Sequence, residues 1–147
     1  PAYRARTPEP HAPRLRDRIL VSSFDHNSLR RVKELQSDIA LGVLVTAPLP
    51  DPVVYCRDVL RASAYHPGCV DDGDAVGFGS IEYRDTGRLP AEPFRSLSAA
   101  GIDVNVWTEN DPSRMKALVA AGVTGIITDY PNRLVDLLHI DTARKNG

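Results

Sequence analysis

At 147 residues the chain has room for one hydrophobic core and too little for two ordinary domains. It is 42% hydrophobic and 25% charged, which describes a globular rather than a disordered polymer. Its formal net charge of −1 gives no bulk electrostatic case for nucleic acid or an anionic membrane surface. No apolar run approaches the ~18 residues of a membrane span, and no signal-peptide pattern is present. The compartment is left open, with a lean to the cytoplasm. The chain opens on Pro1 with no initiator Met, so a processed chain or a fragment is expected.

Residues 1–14 carry Pro1, Pro8, Pro10 and Pro13 among Arg4, Arg6 and Arg14, which blocks regular helix. This basic end reads as a phosphate-binding arm or as a solvated connector or cut end, and composition favours the connector. Ile19-Leu20-Val21 is a short apolar strand ending at Ser22-Ser23-Phe24. Asp25 and Asn27 are both plausible caps for a helix striped with Leu29, Val32 and Leu35. Residues 39–45 are apolar without alternation, as in a strand covered on both faces of a parallel sheet. A Pro-rich loop at Pro48, Pro50 and Pro52 precedes a helix predicted over about 53–63.

Residues 65–74 read as a loop, 75–78 as a weak strand, and Ile81-Glu82-Tyr83 as its extension or a small excursion. Pro93, Phe94, Leu97 and Ala100 mark a helix closed by Gly101. Ile102, Val104 and Val106 then alternate with Asp103, Asn105 and Trp107, the period of a strand. Asp111 and Pro112 start a helix carrying Met115, Leu118 and Val119, which Gly122 can end. A strand over 125–128, Asn132 as a cap and a helix with Leu134, Val135, Leu137 and Leu138 follow, before a frayed tail at 141–147.

About five strand-then-helix units at roughly 25 residues each imply parallel strands with right-handed crossovers. Periodicity leaves two architectures open. One is a five-stranded doubly wound sheet; the other is part of an eight-stranded barrel that needs about 250 residues in full.

Three segments carry a family resemblance. Val104-Asn105-Val106-Trp107-Thr108-Glu109-Asn110-Asp111-Pro112 resembles the V-x-V-W-T-x-N-D-P segment of the glycerophosphodiester phosphodiesterases. Gly122-Val123-Thr124-Gly125-Ile126-Ile127-Thr128-Asp129-Tyr130-Pro131 is similar to their G-V-D-G-I-I-T-D-x-P. Ile19-Leu20-Val21-Ser22-Ser23-Phe24-Asp25 is similar to their V-x-x-S-S-F-D strand end. The resemblance implies an α/β fold, the C-terminal part of a TIM-type (β/α)8 barrel with parallel strands over residues 15–140. It also implies a divalent metal, magnesium or calcium, in the complete domain, and hydrolysis of glycerophosphodiesters to glycerol 3-phosphate and an alcohol.

The family's H-R-G strand end, E-x-D metal pair, second histidine and further metal-binding glutamate belong to the other half of its barrel. None has a matching position here, so no catalytic or metal residue is assigned, and the chain alone is expected to bind no metal and to be inactive. Two residues carry over as substrate-binding wall, Phe24 and Trp107, at the barrel mouth. For Phe24, core packing is the equal alternative.

The expected partners are the glycerophosphodiester substrate and either the missing N-terminal half of the barrel or a second copy of the chain. The alternative function is a non-catalytic binding or interaction module built on a truncated barrel.

Among the remaining polar residues, Asp129 reads as a turn or capping residue rather than a site residue. His11 and His139 read as solvated. His26 lies at a surface helix start or at the pocket rim. His66, beside Cys69 and the acidic run Asp71, Asp72 and Asp74, reads as a solvated turn, with a metal site the lesser alternative. Cys56 and Cys69 match no zinc spacing and read as thiols.

Overall fold

The computed structural model of the chain describes residues 15–70, 81–82 and 92–145. A short 3-10 turn at Leu15–Arg18 leads into β1 (Leu20–Ser23), α1 (His26–Leu35) and β2 (Ala40–Val45). Helix α2 starts as Pro52–Val54 and widens into a π turn, Tyr55–Leu60. Next come β3 (Ala64–Pro67) and two short strands, β4 (Cys69–Val70) and β5 (Ile81–Glu82). They are followed by α3 (Glu92–Ala99), β6 (Asp103–Val106), α4 (Pro112–Ala121), β7 (Gly125–Ile126) and α5 (Pro131–Lys145).

Local chemistry sets the helix ends. Of the two candidate caps for α1, Asp25 serves: its carboxylate accepts from the Asn27 and Ser28 N–H groups at 3.0 and 3.4 Å. The Ser28 hydroxyl donates to the same carboxylate at 2.6 Å, and these Ser28 bonds hold it below its ordinary pKa. Asp111 caps α4 by accepting from Arg114 N–H at 2.9 Å, and Pro112 occupies the first turn, where no donor is needed. Gly122 closes α4 at φ 93°, a left-handed conformation that a side chain would strain.

Strands β1, β2, β3, β6 and β7 form one sheet in that order, and every neighbouring pair is parallel. Leu41, Val43 and Val45 of β2, Tyr65 of β3, and Val104 and Val106 of β6 lie in one buried cluster. Leu29 of α1, Cys56 and Leu60 of α2, Phe94 and Leu97 of α3, and Leu118 of α4 complete it. The helices therefore cover one face. The alternate residues turn to the other: a Cβ on Gly42 would meet the His66 ring at 2.6 Å and Leu20 at 2.9 Å, so these three share that face. A doubly wound sheet reverses strand order and takes helices on both sides. Sequential order with helices on one side is an arc of a barrel.

The structure corrects the reading of residues 65–74 as a loop. Strand β3 lies at Ala64–Pro67, where all four residues are buried. Pro67 ends it, and the carbonyl of its β2 partner Val45 accepts instead from the next N–H, that of Gly68, at 3.1 Å. Ile81–Glu82 is the small excursion, paired in parallel with Cys69–Val70. The last helix starts at Pro131 and reaches Lys145, past the expected fraying at Asp141. The connector at 1–14, the weak strand at 75–78 and the acidic run at Asp71, Asp72 and Asp74 lie outside the described residues.

Leu118 is fully buried between α4 and the sheet. Leu118→Ala is expected to lower unfolding free energy by about 2–5 kcal/mol, through lost burial plus the cavity left behind. Urea titration followed by far-UV circular dichroism reads this directly.

Candidate active-site wall

All five sheet strands point the same way, so their C-terminal ends gather at one end of the arc. Phe24 follows β1 there and Trp107 follows β6. Their rings meet edge to face, with centroids 5.3 Å apart at 81°. Phe24 is 55% exposed in this chain. Trp107 is half-buried. Its indole N–H donates to the His66 carbonyl at 2.7 Å, and its backbone is held on both sides of Gly68, by Trp107 N–H to Pro67 O at 3.1 Å and Cys69 N–H to Trp107 O at 2.7 Å.

His66 is the largest departure from expectation. It is no solvated turn: it sits on β3 at 4% exposure, on the helix-free face. Asn105 Nδ2 donates to His66 Nε2 at 3.0 Å, which places the imidazole proton on Nδ1. That Nδ1 has no partner. Burial pushes the ring's pKa down from 6.5, and the charge of Asp103 partly opposes the shift.

His26 lies at the helix start read from the sequence, half-buried. As the first residue of α1 it bridges two elements: Nε2–H donates to Leu44 O at 2.9 Å, and Nδ1 accepts from the Tyr55 hydroxyl at 2.9 Å. The carbonyl can only accept, which fixes the tautomer. Cys56 and Cys69 are not joined to one another, and burial pushes the Cys56 thiol up to about 12.

The loops after β6 and β7 are stapled by Asn110. Its Oδ1 accepts from the Thr128 hydroxyl at 2.9 Å and from Asp129 N–H at 3.0 Å. Its Nδ2 donates to Asp129 Oδ2 at 2.9 Å, and its carbonyl accepts from Arg133 at 2.9 Å. Asp129 thus has the turn role read from the sequence. Glu109, which sequence reasoning passed over, is 1% exposed. It accepts from Asp111 N–H at 2.8 Å and pairs with Arg114 Nε at 3.2 Å. The available signal was an acid just ahead of a helix start with an Arg in the first turns.

Residues 9–133 match the Glycerophosphoryl diester phosphodiesterase family. The chain belongs to that family. It is 30% identical over 123 residues to a glycerophosphodiester phosphodiesterase of Bacillus altitudinis, covering 84% of this chain and 44% of the relative. It is 31% identical over 133 residues to one from Caldanaerobacter subterraneus subsp. tengcongensis, covering 89% and 44%. The chain therefore spans under half the length of these relatives.

In fold it is similar to an Oleispira antarctica phosphodiesterase solved in complex with the product sn-glycerol-3-phosphate. The TM-score is 0.61 at 23% identity, over 82% of this chain and 41% of that one. A glycerophosphodiester phosphodiesterase from Parabacteroides distasonis gives a TM-score of 0.57 at 18% identity, over 82% and 43%. The five strands are thus the C-terminal part of a (β/α)8 barrel, and the helix-free face is its interior.

For a metal-dependent family, the ligand chemistry of this part can be tested. Among the described residues no three His, Cys, Asp or Glu side chains come together. Those residues by themselves do not fit a divalent ion.

Two outcomes follow from this geometry. Asn110→Ala leaves the Thr128 hydroxyl and Asp129 N–H without their acceptor and is expected to cost about 1–3 kcal/mol of stability by chemical denaturation. His66 makes stability depend on pH. The unfolded chain takes up a proton near 6.5 while the buried ring resists it, so stability falls as pH drops through that value and levels off below the depressed folded pKa. The shifted carboxylates Asp25 and Asp58 act only below 3.8. Melting at about pH 7.5 and about pH 5 should show a loss in the parent that His66→Gln largely removes.

Proposed function

We propose that this chain forms the substrate-facing wall of a metal-dependent glycerophosphodiester phosphodiesterase. The complete barrel hydrolyses glycerophosphodiesters to glycerol 3-phosphate and an alcohol. The observation that carries this reading is the Phe24–Trp107 pair at the gathered C-terminal strand ends. An apolar wall there packs on the carbon face of the glycerol and keeps water from the phosphate, where charge interactions are strongest in a dry site. The product-bound Oleispira antarctica relative in fold supports a glycerol phosphate as the ligand.

The general acid, the base and the magnesium or calcium ion are assigned to the rest of the barrel. The partner that supplies them closes the arc at its two terminal strands, β1 and β7, and covers the exposed Leu20 and Ile127. Alone, the chain is inactive.

Glycerophosphocholine hydrolysis with added magnesium or calcium is the test. It is run on this chain and on the chain fused behind the unmatched part of the Bacillus altitudinis relative. Activity is expected only in the fusion. Activity of the chain alone at constant specific activity through purification sinks the assignment of the catalytic set to the rest of the barrel. A fusion that melts cooperatively yet hydrolyses nothing favours the non-catalytic binding module.

A further inference from the structure

Gly68 lies directly beneath the Trp107 ring. A Cβ built there would meet indole Cζ2 at 3.1 Å, Cη2 at 3.2 Å and Cε2 at 3.4 Å. These distances are too tight for an added carbon unless the ring moves by a few tenths of an ångström. The φ of Gly68 does not call for a glycine: among the described residues the glycines with positive φ are Gly101 and Gly122. Gly68 is there because the indole lies on the chain. The ring has little freedom to yield sideways. Its N–H is held on His66 O at 2.7 Å, its own backbone is bonded to Pro67 and Cys69, and the Phe24 ring packs on it edge to face. A carbon added at Gly68 presses on the face of the indole that rests on the chain, so relief of the contact carries the ring off that face.

We infer that Gly68 is a positioning residue for the glycerol subsite: by carrying no side chain it lets Trp107 lie flat on the β3–β4 link, and this sets how much room the glycerol moiety has. The inference rests on the pocket reading above. A side chain at this position lifts the indole into the subsite and selects against glycerol-bearing ligands while leaving recognition of a bare phosphate alone.

Trp107 is the single tryptophan of the chain, so emission reports this ring and no other. Gly68→Ala and Gly68→Val are compared with the parent and with Leu118→Ala, which weakens the fold without touching the ring. The emission maximum is expected to move to longer wavelength in the two Gly68 variants, further for Val, as more of the indole meets water. It should stay put in folded Leu118→Ala.

Combining Gly68→Val with Trp107→Ala should destabilise by less than the sum of the two, because the colliding ring is gone. Calorimetric titration of the fused barrel described above with sn-glycerol-3-phosphate should show several-fold weaker binding in Gly68→Val, with inorganic phosphate, the reference, unchanged. Unmoved emission in both Gly68 variants overturns the positioning role. Moved emission with the preference for glycerol phosphate over phosphate intact overturns the subsite role. If the parent fused barrel binds glycerol phosphate no better than phosphate, the pocket reading itself falls and takes the subsite with it, while the hold of Gly68 on the ring is still judged by emission of the chain alone.

Discussion

Everything in this chain depends on one-sided burial. The odd-numbered residues of β2, Leu41, Val43 and Val45, face the helices, together with Tyr65, Val104 and Val106 of the neighbouring strands. Each connecting helix returns the chain to the same face, so each new strand starts parallel to the last. Two consequences are forced together. All strand ends that can carry chemistry collect at one rim, and the opposite face is left with its own layer of Leu20, Gly42, His66 and Asn105. The rim and the helix-free face are thus by-products of where the apolar stripes fall.

Most of the side chains in the family motifs are spent on holding the chain to itself. In the V-W-T-x-N-D-P segment, Trp107 alone faces the rim aromatics. Asn110 bonds the next strand end, Asp111 caps α4, Pro112 fits the first turn, and Glu109 braces the cap from behind. The paired Thr-Asp of the following strand end is the other half of the Asn110 staple. The two motifs belong together because one is the hydrogen-bond complement of the other.

Helix starts and stops were legible because their causes are local. Asp25, Asp111, Pro112 and Gly122 act on groups within a few positions of themselves. Trp107 was legible as a rim residue because its strand visibly ends beside it. Strand β3 was not. Tyr65-His66-Pro67-Gly68 has the composition of a turn, and its strand conformation is imposed by β2 on one side and β6 on the other. His66 was misread for the same reason, since its burial depends on Asn105, 39 positions away. The Asn110 staple spans 19 positions and is equally invisible to a local reading. What sequence could not supply was pairing between distant segments.

The strict order of the strands bears on how the chain acquires its shape. Each βα unit docks on the one made just before it, so a growing chain emerging N-terminus first always has its next template in place. Within these residues no strand waits for a later one to be inserted between itself and its neighbour, apart from the β4–β5 excursion that is bypassed when β6 joins β3. Assembly can therefore proceed as a zipper with short closures, which keeps the entropy of loop closure small at every step.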